Sequence, residues 1–231
     1  MDKKKNSAVN EPCLSGRERD IKTLKAFLGC NLKNADAIFT QFEKLDGAKL
    51  YKGKIANERF LFRKGTREDA VTLVAHADTV FKGGTRFDYP STSSRNQYAN
   101  GLDFYSKYVL STYNPPKSRP INTKQTIVSK MVKGQEILAG SNRDVGIGAD
   151  DRAGCAILWL LQNSGHNLLV LDGEESGCLG ARFLMKDHPE IRAEIEKSRF
   201  CIEFDRHGKE DYKCYEIPVE DKFKRYRLRQ I

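Results

Sequence analysis

The 231-residue chain has no apolar run approaching the ~18 residues that a membrane helix needs. Its start, Met1-Asp2-Lys3-Lys4-Lys5-Asn6, also lacks the apolar stretch of a secretory signal. Both gaps argue against spanning or secreted classes, and a cytoplasmic location is expected. Cysteine is sparse and scattered. The six residues (Cys13, Cys30, Cys155, Cys178, Cys201, Cys214) form no CxxC pair, which argues against a cysteine-zinc site and for reduced, packed thiols over a disulfide framework. No GxxxxGK[ST] loop is present to cradle phosphates, and no serine or cysteine sits between glycines as a nucleophile elbow. Internal repeats are absent as well.

What is there describes an ordinary soluble domain, 39% hydrophobic and 31% charged, long enough for one sizeable core. The net charge of +9 lies to a good extent at the two ends, in Lys3 to Lys5 and in Lys222, Lys224, Arg225, Arg227 and Arg229. Such ends read as solvated termini, so nucleic acid is not an expected partner. The expected organisation is a flexible segment over 1–15, one folded domain over 16–220 and a basic tail over 221–231.

Residues 16–45 read as two helices, with Ile21, Leu24 and Leu28 on one face of the first and Ile38, Phe42 and Leu45 on one face of the second. Lys49 to Arg63 reads as an antiparallel strand pair, and Val71 to Ala75 as a fully buried strand. Residues 81–135, rich in Ser, Asn, Pro and Gly and in aromatic rings, are the least legible; they fit a substrate-shaping loop or a cover over one sheet edge. A short strand follows at Glu136 to Ala139. A helix from about Asp150 to Leu161 places Ala153, Ala156, Ile157 and Leu160 on one face. Next come a strand from Leu168, a helix through Leu179 and Phe183 that His188-Pro189 ends, a strand at Phe200 to Phe204 and a pairing strand around Tyr212 to Ile217. Strands alternating with helices predict an α/β class: a three-layer α/β/α domain with a central, largely parallel mixed sheet.

Costly side chains gather at the ends of the apolar runs. His76 and Asp78 stand two apart just past a strand, an imidazole suited to zinc beside a carboxylate suited to orienting it. Asp150 and Asp151 open a helix after Gly146-Ile147-Gly148-Ala149; capping accounts for one of them, and two adjacent carboxylates call for positive charge nearby. Glu174-Glu175, with Asp172 just before, repeats the pattern, one glutamate free to bind metal while its neighbour takes a proton from water. Asp205 ends the last run. His166 and His188, beside turn signals, read as surface residues, and Trp159 reads as core.

The strings His76-Ala77-Asp78-Thr79, Gly148-Ala149-Asp150-Asp151-Arg152-Ala153-Gly154, Asp172-Gly173-Glu174-Glu175-Ser176-Gly177 and Glu203-Phe204-Asp205 resemble those of the co-catalytic zinc exopeptidases. That group holds tripeptidase T, acetylornithine-deacetylase-like hydrolases and single-domain zinc aminopeptidases; with no lid domain of the kind tripeptidase T carries, the single-domain arrangement is the expected one. The resemblance implies that His76 and Asp205 hold one zinc ion, that Asp150 bridges two, that Glu175 holds the second, that Glu174 is the general base and that Asp78 orients His76. It implies hydrolysis of a peptide or related amide bond near a chain end by water that two metals activate, with a small peptide or amide as substrate. Members complete the second metal with a histidine well downstream, and here only His207 follows Asp205. A shortened homologue with a partial metal site and weak or no activity is the competing expectation.

Overall fold

The computed structural model describes residues 15–32, 34–79, 85–88, 117–120, 126–141, 146–205, 211–212, 215 and 229–230. Helix α1 (Gly16–Leu28) starts where Ser15 and Glu18 cap it reciprocally: the Glu18 amide donates to Ser15 Oγ and the Ser15 amide to Glu18 Oε2. Helix α2 (Asp36–Phe42) follows, then the antiparallel pair β1 (Ala48–Lys52) and β2 (Arg59–Arg63) and the buried strand β3 (Thr72–His76). Short pairs β4 (Thr85–Asp88) with β5 (Lys117–Pro120) and β6 (Ile127–Val132) with β7 (Gln135–Gly140) stand outside the main sheet. Helix α3 (Ala149–Leu160), β8 (Asn167–Leu171), α4 (Leu179–Asp187), α5 (Pro189–Glu196) and β9 (Cys201–Glu203) complete the body. A last parallel pair joins β10 (Asp211–Tyr212) to β11 (Arg229–Gln230).

The main sheet runs β1-β2-β8-β3-β9. Its β3 pairs in parallel with both β8 and β9, while β2 is antiparallel to both of its neighbours. Four strands therefore point one way and β2 alone is reversed, the mixed, mostly parallel sheet expected. Alternation along each strand sends Leu61, Leu73, Ala75, Leu168 and Val170 to one face, against Phe27, Phe39, Cys155 and Leu158 of α1 to α3. It sends Phe60, Phe62, Val74 and Leu169 to the other, against Leu184 of α4 and Ile191 of α5. Helices on both faces make three layers, and β3 is buried along its whole length because both of its sides are covered.

Several expectations need correction. The buried face of α3 is Arg152, Cys155, Ala156 and Leu158, whereas Ile157 and Leu160 are 38% and 39% exposed. The helix is rotated from its apolar periodicity because the Arg152 guanidinium goes inside. Pro189 does end α4, and it also begins α5 at the first helical position, where its missing N–H costs nothing. Strand β6, in the stretch read as illegible, forms a hairpin with β7 through left-handed Lys133 and Gly134. His188 is no free surface residue: its ring packs edge-on against Tyr51, Phe60 and Phe183. His166 accepts the Val71 amide at Nδ1 and is half-buried. Trp159 packs on Phe27 and Phe42 as expected. The described cysteines are free thiols, but Cys178 and Cys201 are exposed rather than packed.

Most of the 81–135 aromatic stretch, the expected 212–217 strand apart from Tyr212 and Tyr215, His207 and nearly all of the 1–15 and 221–231 ends lie outside the described residues. Among the described residues no helix is long and apolar enough to cross a membrane.

Candidate functional site

Because β3, β8 and β9 are parallel, their carboxyl ends open on one edge of the sheet, where open α/β sheets place their chemistry. His76 is the last residue of β3, Asp205 lies just past β9, and the Glu174–Ser176 turn lies just past β8. Helix α3 packs on β3 and brings Asp150 to the same edge.

The His76 side chain is 1% exposed. Its Nε2 lies 3.2 Å from Asp150 Oδ1, 3.9 Å from Asp205 Oδ2 and 4.0 Å from Glu174 Oε2. Its Nδ1 faces Asp78, 3.4 Å from Oδ1 and 3.2 Å from the backbone oxygen. Asp78 therefore stands behind the imidazole. Asp78 does more. Its Oδ1 accepts the Glu174 amide at 3.1 Å and its Oδ2 the Glu175 amide at 3.2 Å.

The adjacent aspartates divide their work, across a peptide bond that is cis. Asp150 is 72% exposed on the side chain and reaches the His76 ring. Asp151 is 2% exposed, accepts the Gly154 amide in the first turn of α3 and accepts the His76 amide at 3.1 Å. Cys155 Sγ donates to the His76 carbonyl at 3.3 Å, so α3 grips the His76 backbone from both sides of the residue. Capping accounts for one aspartate, as the sequence suggested, and that one also anchors the end of β3.

Asp172 does not join the cluster. It pairs with Arg59 Nε at 2.5 Å, and Arg59 also reaches Asp36 at 2.7 Å and lies over the Phe39 ring. Glu175 lies outside the close group too; burial and the Asp150 carboxylate push its carboxyl above the usual range, so it is near enough to share the field.

The electrostatics follow from crowding. Burial pulls the His76 imidazole down, but the hydrogen bond to Asp78 and the charges of Asp151, Asp78 and Asp205 outweigh it and lift it from 6.5 to about 9. Burial pushes Asp151 up to about 8, with Asp205 adding to the rise. Asp205 and Glu203 are also raised, by burial first and then by neighbouring carboxylates. Asp78 is the exception: burial raises it, and the His76 contact and the two amides lower it further, below its ordinary value.

One functional residue escaped sequence reasoning. Arg152 is wholly buried and donates to three backbone carbonyls of the segment between α1 and α2, Cys30 at 2.7 Å, Asn31 at 2.8 Å and Asn34 at 3.1 Å. Thr79 Oγ1 holds the Leu32 carbonyl of the same segment. Residues directly after both Asp151 and Asp78 thus tie the two motifs to one brace. A lone arginine inside a polar string gives no sign of burial.

No protein-family model and no curated protein sequence matches this chain. Among solved structures, an aminoacylhistidine dipeptidase from Vibrio alginolyticus superposes on 85% of the chain with a TM-score of 0.47 and 15% sequence identity. That overlap covers 34% of the dipeptidase, so the present chain spans about a third of its length. The α/β/α fold is established by the chain's own sheet and layers.

The geometry of the donor set suits a divalent cation. One atom each from His76, Asp150 and Asp205 lies within 4.8 Å of the others. Ligands of a tetrahedral zinc ion at ~2.0–2.1 Å sit roughly 3.3 Å apart, so small side-chain adjustments close the set. One imidazole nitrogen faces the group while the other is held by a carboxylate, the arrangement zinc-binding histidines use. The residues fit.

Proposed function

We propose that this chain carries a metal-dependent hydrolase site that cleaves a peptide or related amide bond near a chain end, with zinc as its cation. The observation that supports this reading is the convergence of His76 Nε2, Asp150 and Asp205 around one point, with Glu174 Oε2 4.0 Å from the same imidazole nitrogen. His76, Asp150 and Asp205 would hold the cation, and Glu175, close by in the field of Asp150, would serve a second one. A bound divalent cation supplies Lewis-acid polarisation of the scissile carbonyl and makes water acidic enough to yield a proton near neutral pH.

The chain's residues do the rest. Glu174 accepts the proton of the attacking water and returns it to the leaving amine. Asp78 fixes the ring of His76 so that Nε2, not Nδ1, faces the cation. Asp151 and Cys155 keep the end of β3 from shifting, which holds ligand and base within reach of one another.

The test begins with metal analysis of the purified protein and zinc titration. Zinc should bind the unmodified chain, and Asp205→Asn should weaken it by at least about tenfold. On a panel of di- and tripeptides and N-acylated amino acids, Glu174→Ala should abolish hydrolysis while zinc content stays whole. Hydrolysis retained in Glu174→Ala removes the base assignment. Zinc bound without turnover on any substrate favours the weak or inactive homologue.

A further inference from the structure

From the contacts of Asp78 we infer that this residue positions the Glu174–Glu175 turn as well as His76, and so couples the metal ligand to the base through one carboxylate. The turn is a three-residue 3₁₀ segment between left-handed Gly173 (φ 71°) and Gly177 (φ 89°). Its own hydrogen bonds run from the amides of Ser176, Gly177 and Cys178 back to Gly173 and Glu174. The first amides of such a turn have no acceptor within it. The Glu174 and Glu175 amides find theirs in the two Asp78 oxygens, and Oδ1 is shared with His76 Nδ1. A buried carboxylate bound to two successive amides fixes where both glutamate side chains leave the backbone. Rotation of the Asp78 carboxyl moves the imidazole and the turn together, so a cation settling on His76 also sets the base.

The proton-transfer half of this inference rests on the hydrolase reading, and the turn half does not. Amide hydrogen exchange in ¹⁵N-labelled, metal-free full-length protein tests the turn. In Asp78→Ala, exchange at Glu174 and Glu175 should quicken by about tenfold or more relative to Leu169 and Val170 in β8. Asp78→Asn, of the same shape, keeps one carbonyl oxygen, so one of the two amides should stay slow while the other quickens. Wild-type exchange at both amides in Asp78→Ala overturns the inference, as does equal quickening of turn and core amides in both variants.

For the proton-transfer half, the Asp78→Asn protein is brought to full zinc content with excess zinc. Its kcat should fall by about tenfold or more with KM changed by less than roughly threefold. An unchanged kcat at full zinc overturns that half. Absence of turnover in the unmodified protein counts against the hydrolase reading, and the amide measurement still decides the turn.

Discussion

Replacing Arg152 by methionine removes a guanidinium that is wholly buried and leaves three backbone carbonyls, those of Cys30, Asn31 and Asn34, without this donor. Hydrogen bonds from a charged donor are worth about 1.5–3 kcal/mol each, so the gross loss is about 4.5–9 kcal/mol. Against it stands the relief of no longer burying a cation, several kcal/mol after relaxation. Burial draws the guanidinium below its ordinary value, while Cys30, Cys155, Asp78 and Asp172 oppose that, which shows that the desolvation cost is real and partly offset. Methionine fills much of the space, so cavity formation adds little. The net expectation is a loss of about 3 kcal/mol. In urea, with a slope of about 2 kcal/mol/M, the unfolding midpoint should fall by about 1.5 M at unchanged slope. Zinc affinity should fall with it, because the brace held by Arg152 and Thr79 joins the segments that carry His76 and Asp150. A midpoint shift below about 0.5 M would refute the reasoning, since the carbonyls would then have found water or other donors at no cost.

In metal-free protein two strongly perturbed groups of the site drive stability in the same direction. His76, raised from 6.5 to about 9, contributes stability that is whole below 6.5 and is lost as pH rises through 9. Asp151, raised from 3.8 to about 8, adds a penalty that grows between those values. Thermal melts in chelator should therefore decline from pH 6 to pH 9, and a rising trend would contradict both assignments. Saturating zinc at about 100 times its Kd should add about 2.7 kcal/mol to the unmodified protein and far less to Asp205→Asn, measured as a shift of the urea midpoint. Gly148→Ala should destabilise by about 1–3 kcal/mol, because its φ is +63° and an added Cβ meets Leu32 Cδ2; an unaltered midpoint would show that the segment yields easily.

Strand ends were the legible part of this chain. Val71 to Ala75 and the run from Leu168 are apolar without alternation, which only a strand covered on both faces requires, and the acids just past them fall at the sheet's open edge. Helix phase was less legible. In α3 the apolar spacing of Ala153, Ala156, Ile157 and Leu160 pointed to one face, of which Ala156 is buried while Ile157 and Leu160 stay exposed, and Arg152 goes inside, where backbone carbonyls receive it. Pro189 carries a two-sided signal, ending one helix and starting the next, and only the ending was read. The β6 strand, Ile127-Val128-Ser129-Lys130-Met131-Val132, has no core beneath most of its length, so no alternation marks it. Within the site, the separate tasks of Asp150 and Asp151 follow from which side of α3's first turn each occupies, and adjacent identical residues carry no trace of that.

Charge makes the final link between fold and chemistry. Around the His76 ring stand the carboxylates of Asp78, Asp150, Asp151, Asp205 and Glu174, while the buried cation Arg152 spends its hydrogen bonds on carbonyls. Among the described residues around the ring the positive charge is thus one imidazolium, held up to about 9 by those acids. Burial raises Asp151, to about 8, and raises Asp205, Glu175 and Glu203 too, with the Asp150 charge next for Asp205 and Glu175 and the Asp205 charge next for Glu203. A divalent cation at Nε2 would replace a single proton with two charges and would lower Asp151 as well. Metal binding should therefore release protons from the imidazole and from Asp151, and its affinity should climb with pH more steeply than one histidine alone would allow. A titration that releases a single proton per zinc at pH 7 would show that the carboxylates are already ionised and that the imidazole alone is coupled to the metal.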